Sequence, residues 1–349
     1  MKRFLTILLV ICTAMGVVSF AACEKKAEKY SAYSFDYFDT VTTITGYEKD
    51  KATFDAVSSE ALALLGEYHR LFTIYHRFDG LENLCTVNEL VDGAHRTVTV
   101  DRKIIDMLLY AKEMYVLTNG RVNVAMGSVL SIWHDHREIG MNDPSKATLP
   151  DKDELWLASQ HTNINDVVID EENCTVTLAD PEMKLDVGAI AKGYAVEMVA
   201  KALEQKEIEG YVINVGGNVR TLGAKADGEA WTVGIENPDD EATDYLAYLG
   251  LSGESLVTSG SYQRYYFVNG RRYHHIIDPV TLMPSDYFTS VSIVCKSSGL
   301  GDALSTALFC MTLEEGRALI ESIEDVEAMW VTLDGQIHKS SGFESYEKK

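Results

Sequence analysis

Three short segments carry residue types whose spacing could do chemistry. The first is Lys184-Leu-Asp-Val-Gly-Ala-Ile-Ala-Lys-Gly-Tyr-Ala-Val. Asp186 ends a predicted strand, Gly188 turns the chain, and a helix is expected to start near Ala189. A helix start offers unpaired N–H groups and a partial positive charge, which suit a phosphate. Lys192 falls in that first turn and adds a full charge, and Gly188 and Gly193 let backbone or ligand come close. An ordinary strand-to-helix corner with a surface lysine fits the same residues. The second segment is Leu256-Val-Thr-Ser-Gly-Ser-Tyr-Gln-Arg-Tyr-Tyr, followed by Arg272-Tyr-His-His-Ile-Ile-Asp-Pro. Thr258, Ser259 and Ser261 around Gly260 are expected to form a hydroxyl-rich turn. A histidine of the His274–His275 pair, beside Asp278, could act as acid or base near neutral pH. Alternatively Asp278 caps a turn before Pro279 and one imidazole is packed. In the third segment, Gly301-Asp-Ala-Leu-Ser-Thr-Ala-Leu-Phe, Asp302 and Thr306 stand four apart and share a helix face. A carboxylate and a hydroxyl aimed together suit a hard cation such as Mg²⁺. The alternative is an Asp placed for the helix dipole and a Thr bonded back to the preceding turn. Taken together, an anion-friendly helix start, a histidine and a hard-metal pair are the parts a pyrophosphate-cleaving site needs.

The elements that would position these groups follow from periodicity. Phe38–Tyr47, rich in Thr, Val and Ile, reads as a strand. Ala52–Phe72 and Asp101–Asn119 have helical apolar stripes, the latter stopped at Gly120. Residues 144–160 read as a surface segment leading to a short helix, and 166–178 as a strand pair about a turn at 171–173. A helix is expected over 190–203, a short buried strand over 211–215 ending in Gly216-Gly217, and strands at 231–235, 265–268 and 290–294 before a helix from Gly301. Hairpins mixed with packed helices predict an α+β fold, with mixed or antiparallel sheets and two closely packed lobes. G-x-G-x-x-G, Walker, H-E-x-x-H and G-x-S-x-G motifs are all missing.

Composition narrows the partners. The formal charge is −22, which disfavours nucleic acid and anionic lipid surfaces and asks any anionic substrate to find a local site, for which a bound cation is one means. Lys2 and Arg3, the apolar run Phe4–Val18 and small residues ending in Ala21-Ala22-Cys23 have the order of a secretory signal. The run falls short of the roughly 20 residues of a membrane span. Ala21-Ala22-Cys23 resembles the lipidation box of bacterial lipoproteins, with Phe20 where a Leu is usual. That implies a signal peptide over 1–22, lipidation of Cys23, a tether over 23–34, a folded domain over 35–340, a tail over 341–349, and an extracytoplasmic, membrane-anchored protein. Of six cysteines, Cys295 and Cys310 lie in apolar surroundings and read as buried small hydrophobes; no C-x-x-C occurs.

Five motifs in order carry a resemblance: Asp186-Val-Gly-Ala-Ile-Ala-Lys-Gly-Tyr-Ala, Ile213-Asn-Val-Gly-Gly-Asn, Thr258-Ser-Gly-Ser-Tyr, His275-Ile-Ile-Asp-Pro and Asp302-Ala-Leu-Ser-Thr-Ala. From about Phe38 to Trp330 the chain resembles the ApbE family of FAD:protein FMN transferases. The resemblance implies FAD contacts at Val41, Tyr75, Arg121, Val122, Asn123, Asp186, Lys192 and Ile277, with Tyr75 stacking on the flavin. It implies metal binding by the backbone oxygen of Ala189 and by Asp302 and Thr306, and a part in the chemistry for His275. Asn123 stands where the family commonly has Asp, and Ser305 where some relatives carry a second metal-binding Asp. The implied reaction uses Mg²⁺: a Thr or Ser hydroxyl of a target protein attacks the FMN-side phosphorus of FAD and AMP leaves. The family's acceptors carry Asp-Gly-x-Ser/Thr-Gly-Ala, a motif missing here, so the expected target is another protein, a membrane redox protein. Two alternatives share these residues: a Mg²⁺-dependent FAD pyrophosphatase and a flavin-binding lipoprotein without chemistry.

Overall fold

The computed structural model describes residues 26–91, 93–239 and 244–348, so the leader and Cys23 lie outside it. Its centre is an eight-stranded sheet: β1 (Glu28–Ser34), β2 (Thr42–Glu48), β3 (Tyr211–Val215), β4 (Asn218–Leu222), β5 (Ser255–Gly260), β6 (Phe288–Cys295), β7 (Glu327–Thr332) and β8 (Ile337–Lys339). Each lies beside its predecessor and every pair is antiparallel. Alternation sets the two faces. On β6, Val291, Ile293 and Cys295 point to one side and Val294 to the other; on β7, Ala328 and Trp330 oppose Met329 and Val331.

Helices cover the first face. α1 (Lys51–Phe72) starts at Asp50, whose side chain accepts from Thr53 N–H, and buries Phe54, Ala61 and Leu65. α2 (Arg102–Leu117) packs outside α1. α3 (Gly127–Asn142) stands apart, and its Val129 and Trp133 share a separate apolar cluster with Tyr266 and Ile277. α4 (Ala191–Glu204) lies on β3 and β4, and α5 (Ser298–Phe309) on β5 and β6, the two helices against each other. The second face is closed by the Trp231–Glu236/Tyr245–Leu251 hairpin and by Phe343. Among the described residues no helix is long and apolar enough to cross a membrane.

The structure corrects several expectations. The tether is a strand over much of its length: Glu28–Ser34 pairs with β2 through all seven of its residues. The tail is packed, with Phe343 fully buried and Lys348 N–H donating to Tyr248 O. The first predicted strand begins only at Thr42, because Phe38 and Asp39 take left-handed φ of 55° and 52°. The hydroxyl-rich turn is β5, in mid-sheet, where Thr258 Oγ1 and Ser292 Oγ meet at 2.8 Å across the strand pair. Asp186 lies outside any strand, and α4 begins at Ala191. No expected element covered α3.

Candidate active site

The corner before α4 is fixed by its backbone. Leu185 N–H donates to Asn88 Oδ1 (2.7 Å), Asp186 N–H to Val124 O (2.8 Å) and Gly127 N–H to Lys184 O (2.9 Å). The Asp186 carboxylate accepts from Gly188 N–H at 2.8 Å. Ile190 offers no side-chain cap to α4. One free donor of that helix start is taken instead by α5, because Gly193 N–H donates to Asp302 Oδ2 at 2.8 Å. The contact needs glycine: a Cβ at 193 would sit 2.4 Å from both Asp302 Cβ and Ser298 O. The anion expected at this helix start is thus, in part, the protein's own carboxylate.

Asp302 is buried, and Lys192 Nζ stands 4.0 Å from its Oδ1. Burial holds its carboxyl above the ordinary range; Lys192, Gly193 N–H and a hydrogen bond from Asn218 pull the other way. Asn218 follows the Gly216–Gly217 turn, both glycines at positive φ, and its Oδ1 is buried without a partner. Thr306 lies one turn beyond Asp302. Ser305 is engaged elsewhere, with its Oγ 2.8 Å from Ser259 Oγ and donating to Asp302 O at 3.0 Å. Among the described residues no three His, Cys, Asp or Glu side chains converge as a metal cluster. A cation here would draw on one carboxylate, a hydroxyl and backbone or amide oxygens, a hard donor set of the kind Mg²⁺ takes.

A second group of side chains acts on Asp186. Its carboxyl is raised by burial and lowered by Gly188 N–H, His134, Arg137 and Arg264. Tyr75, 54% exposed, lies with its ring 5.2 Å from that of His134, and Arg137 Nη2 is 2.8 Å from His134 Nδ1. His275 directs both its N–H and its Nδ1 at Arg264 O, at 3.1 and 3.2 Å. A carbonyl only accepts, so Nδ1 carries the proton and Nε2 keeps its lone pair. Burial, then His274, Arg264 and Arg137, push His275 down to about 3. His274 is the packed imidazole: buried, its Nε2 2.7 Å from Ser285 O, its ring edge-on to Phe309.

Other expected contacts are placed differently. Asp278 pairs with neither histidine; its buried carboxylate meets Arg121 Nη1 at 3.0 Å and accepts from Val280 N–H. Arg121 is therefore already neutralised. Val122 and Ile277 are buried, so neither offers a ligand an exposed side chain. Asn123 accepts from Ala125 N–H and donates to Thr162 O, so both ends of its amide are used. Arg121 and Asn123 do border a cavity of about 430 Å³ with Pro279 and Val280. Val41, exposed just before β2, accepts from Gly216 N–H, and Ala189 sits in the turn entering α4. Arg137, His134 and Arg264 were not expected at the site. Arg264 lies inside a quoted motif, whereas Arg137 and His134 ride on the unforeseen α3.

Comparison with known proteins agrees over nearly the whole fold. A model described as the ApbE family matches residues 38–330. The chain is 35% identical to a FAD:protein FMN transferase of Klebsiella pneumoniae over 78% of this chain and 84% of the relative. It is 30% identical to one of Treponema pallidum over 95% and 92% of the two chains. Among solved structures, the ApbE protein of Thermotoga maritima superposes with a TM-score of 0.79 at 27% identity, covering 92% of this chain and all of the other. The flavin transferase ApbE of Vibrio cholerae gives 0.74 at 26% identity, covering 92% and 99%.

Proposed function

The chain belongs to the ApbE family, and on that premise we propose how its residues carry the reaction. It is a transferase that moves FMN from FAD to a target protein. Within that reaction, the accepting group is a Thr or Ser hydroxyl. The observation that carries this reading is His275, held neutral with Nε2 free, within electrostatic reach of the same two arginines, Arg137 and Arg264, as Tyr75 and Asp186. The hydroxyl oxygen bonds to the FMN-side phosphorus as its proton passes to Nε2. The bond from that phosphorus to the bridging oxygen breaks, and AMP leaves with the bridge. Tyr75 supports the flavin ring through its exposed face. Asp302, Thr306 and the carbonyl of Ala189 would hold Mg²⁺, with the unpartnered Asn218 Oδ1 near at hand. When bound, the ion supplies neutralisation of phosphate charge. Lys192, 4.0 Å from Asp302, supplies a second positive charge at the same place.

The target carries Asp-Gly-x-Ser/Thr-Gly-Ala and is a membrane redox protein, and the enzyme is anchored outside the cytoplasm by a lipid on Cys23. The leader and the Ala21-Ala22-Cys23 box support the anchor, and the family resemblance supports the target. The deciding assay incubates the protein with FAD, Mg²⁺ and a peptide bearing Asp-Gly-x-Thr-Gly-Ala. AMP should appear with a peptide heavier by one FMN less one water, and a Thr→Ala peptide should stay unlabelled. AMP at equal rate with and without acceptor, and no labelled peptide, would make the protein a pyrophosphatase; neither product would make it a binder.

A further inference from the structure

We infer that Arg137 and Arg264 form a two-guanidinium clamp for the pyrophosphate of FAD. The inference rests on FAD being the substrate. A chain of net charge −22 must gather cations locally to hold a doubly charged anion. Of the two cations expected to contact FAD, Arg121 pairs with buried Asp278, and Lys192 stands 4.0 Å from Asp302, at the proposed metal site. Arg137 and Arg264 are different. Among the described residues neither guanidinium meets a carboxylate in an ion pair, yet each lies within electrostatic reach of the other and of Tyr75, Asp186 and His275.

Bringing two guanidiniums together costs free energy, and Asp186, the carboxylate within reach of both, sets one negative charge against two positive ones. The side chain of one and the backbone of the other are held by neighbours. Arg137 Nη2 is 2.8 Å from His134 Nδ1, and the His134 ring lies against Tyr75, the proposed flavin support. Arg264 is fixed through its carbonyl, which takes both hydrogen bonds from His275. Arg137 is thus linked to the residue that would hold the flavin ring and Arg264 to the residue that would take the proton, and in FAD bound by both the phosphates run from one to the other. Planar guanidiniums suit phosphate oxygens because they donate in pairs.

The test compares FAD with riboflavin, which has the same ring and no phosphate. Binding is followed by flavin fluorescence in EDTA, which prevents turnover, for the wild type and for Arg137→Gln, Arg264→Gln and the two Arg→Lys variants. Replacing the Arg264 side chain leaves its carbonyl, and with it the seat of His275. Each Gln variant should bind FAD about tenfold to a hundredfold more weakly, the loss expected for a charge-assisted hydrogen bond. Riboflavin affinity should stay within about twofold, and Lys should recover part of the loss. FAD bound equally by the wild type and both Gln variants overturns the clamp and leaves the transferase reading standing. Equal loss of riboflavin, not repaired by Lys, also overturns it, because the arginines would then shape the pocket and not bind phosphate. A wild type that binds no FAD either in EDTA or with Mg²⁺ present defeats the transferase reading, and the clamp with it.

Discussion

Burial moves the proton affinities of His275 and Asp302 in opposite directions, because taking a proton charges one and neutralises the other. The fall of His275 from 6.5 to about 3, under burial and the facing charges of His274, Arg264 and Arg137, keeps its ring neutral in the free enzyme. Its ring signals in NMR should not titrate between about pH 5 and 8; a midpoint near 6.5 would contradict the burial described. The linkage has a definite sign. Below 6.5 the unfolded chain binds a proton at this residue that the native chain refuses, so its contribution to stability declines as the pH falls from about 6.5 towards about 3. His275→Asn should lower turnover by about 10²- to 10⁴-fold with little change in FAD affinity, as expected for loss of a general base. Asp302→Ala should cut Mg²⁺-dependent AMP release by on the order of a hundredfold or more, and undiminished activity in that variant would remove Asp302 from the site. The Asp302/Thr306 pair was legible because i and i+4 always share a helix face. The role of His275 against His274 was not, since adjacent residues at a strand end point opposite ways and only the packing of His274 under Phe309 tells them apart.

Between elements, the contact that matters most is the one where α4 meets α5 at Gly193. Gly193→Ala places a Cβ 2.4 Å from a backbone oxygen, which cannot swing aside, so the helices must separate. The expected cost is about 1–3 kcal/mol, read as a lower thermal midpoint together with weakened metal-dependent activity, because the Asp302–Gly193 hydrogen bond is strained in the same movement. An alanine variant as stable and active as the wild type would show that the helices do not need this close approach. Helices with strong stripes and acidic N-caps, such as α1 after Asp50 and α2 after Asp101, were readable in advance. α3 was not: Met126 gives it no side-chain cap, and its polar run of His134, Asp135, His136 and Arg137 hides the stripe. β5 was misread because Thr258, Ser259 and Gly260 have turn composition. Ser292 and Ser305 give its hydroxyls partners, which only the assembled sheet can supply.

For the whole molecule, the sheet begins where the sequence suggested a loose tether. β1 covers the edge of β2, and its Tyr30 ring lies 5.6 Å from that of Phe54 on α1. A chain starting at Phe35 would expose the β2 edge as a template for other chains. It should melt several degrees lower and aggregate on concentration, whereas a chain starting at Lys26 should behave as the mature protein does. Equal behaviour of the two in melting and light scattering would remove β1 from the list of stabilising elements. The general α+β architecture was legible from hairpin and helix periodicity, but an edge strand as polar as Glu28–Ser34 carries little apolar signal and declares itself only by pairing. Its position has a consequence for reach. In the anchored form proposed above, five peptide steps separate Cys23 from Glu28, and at about 3.6 Å each they span no more than ~18 Å. In that form so short a leash would keep the catalytic domain riding low on the bilayer, and would make it select acceptors by their height above the lipid as well as by their sequence.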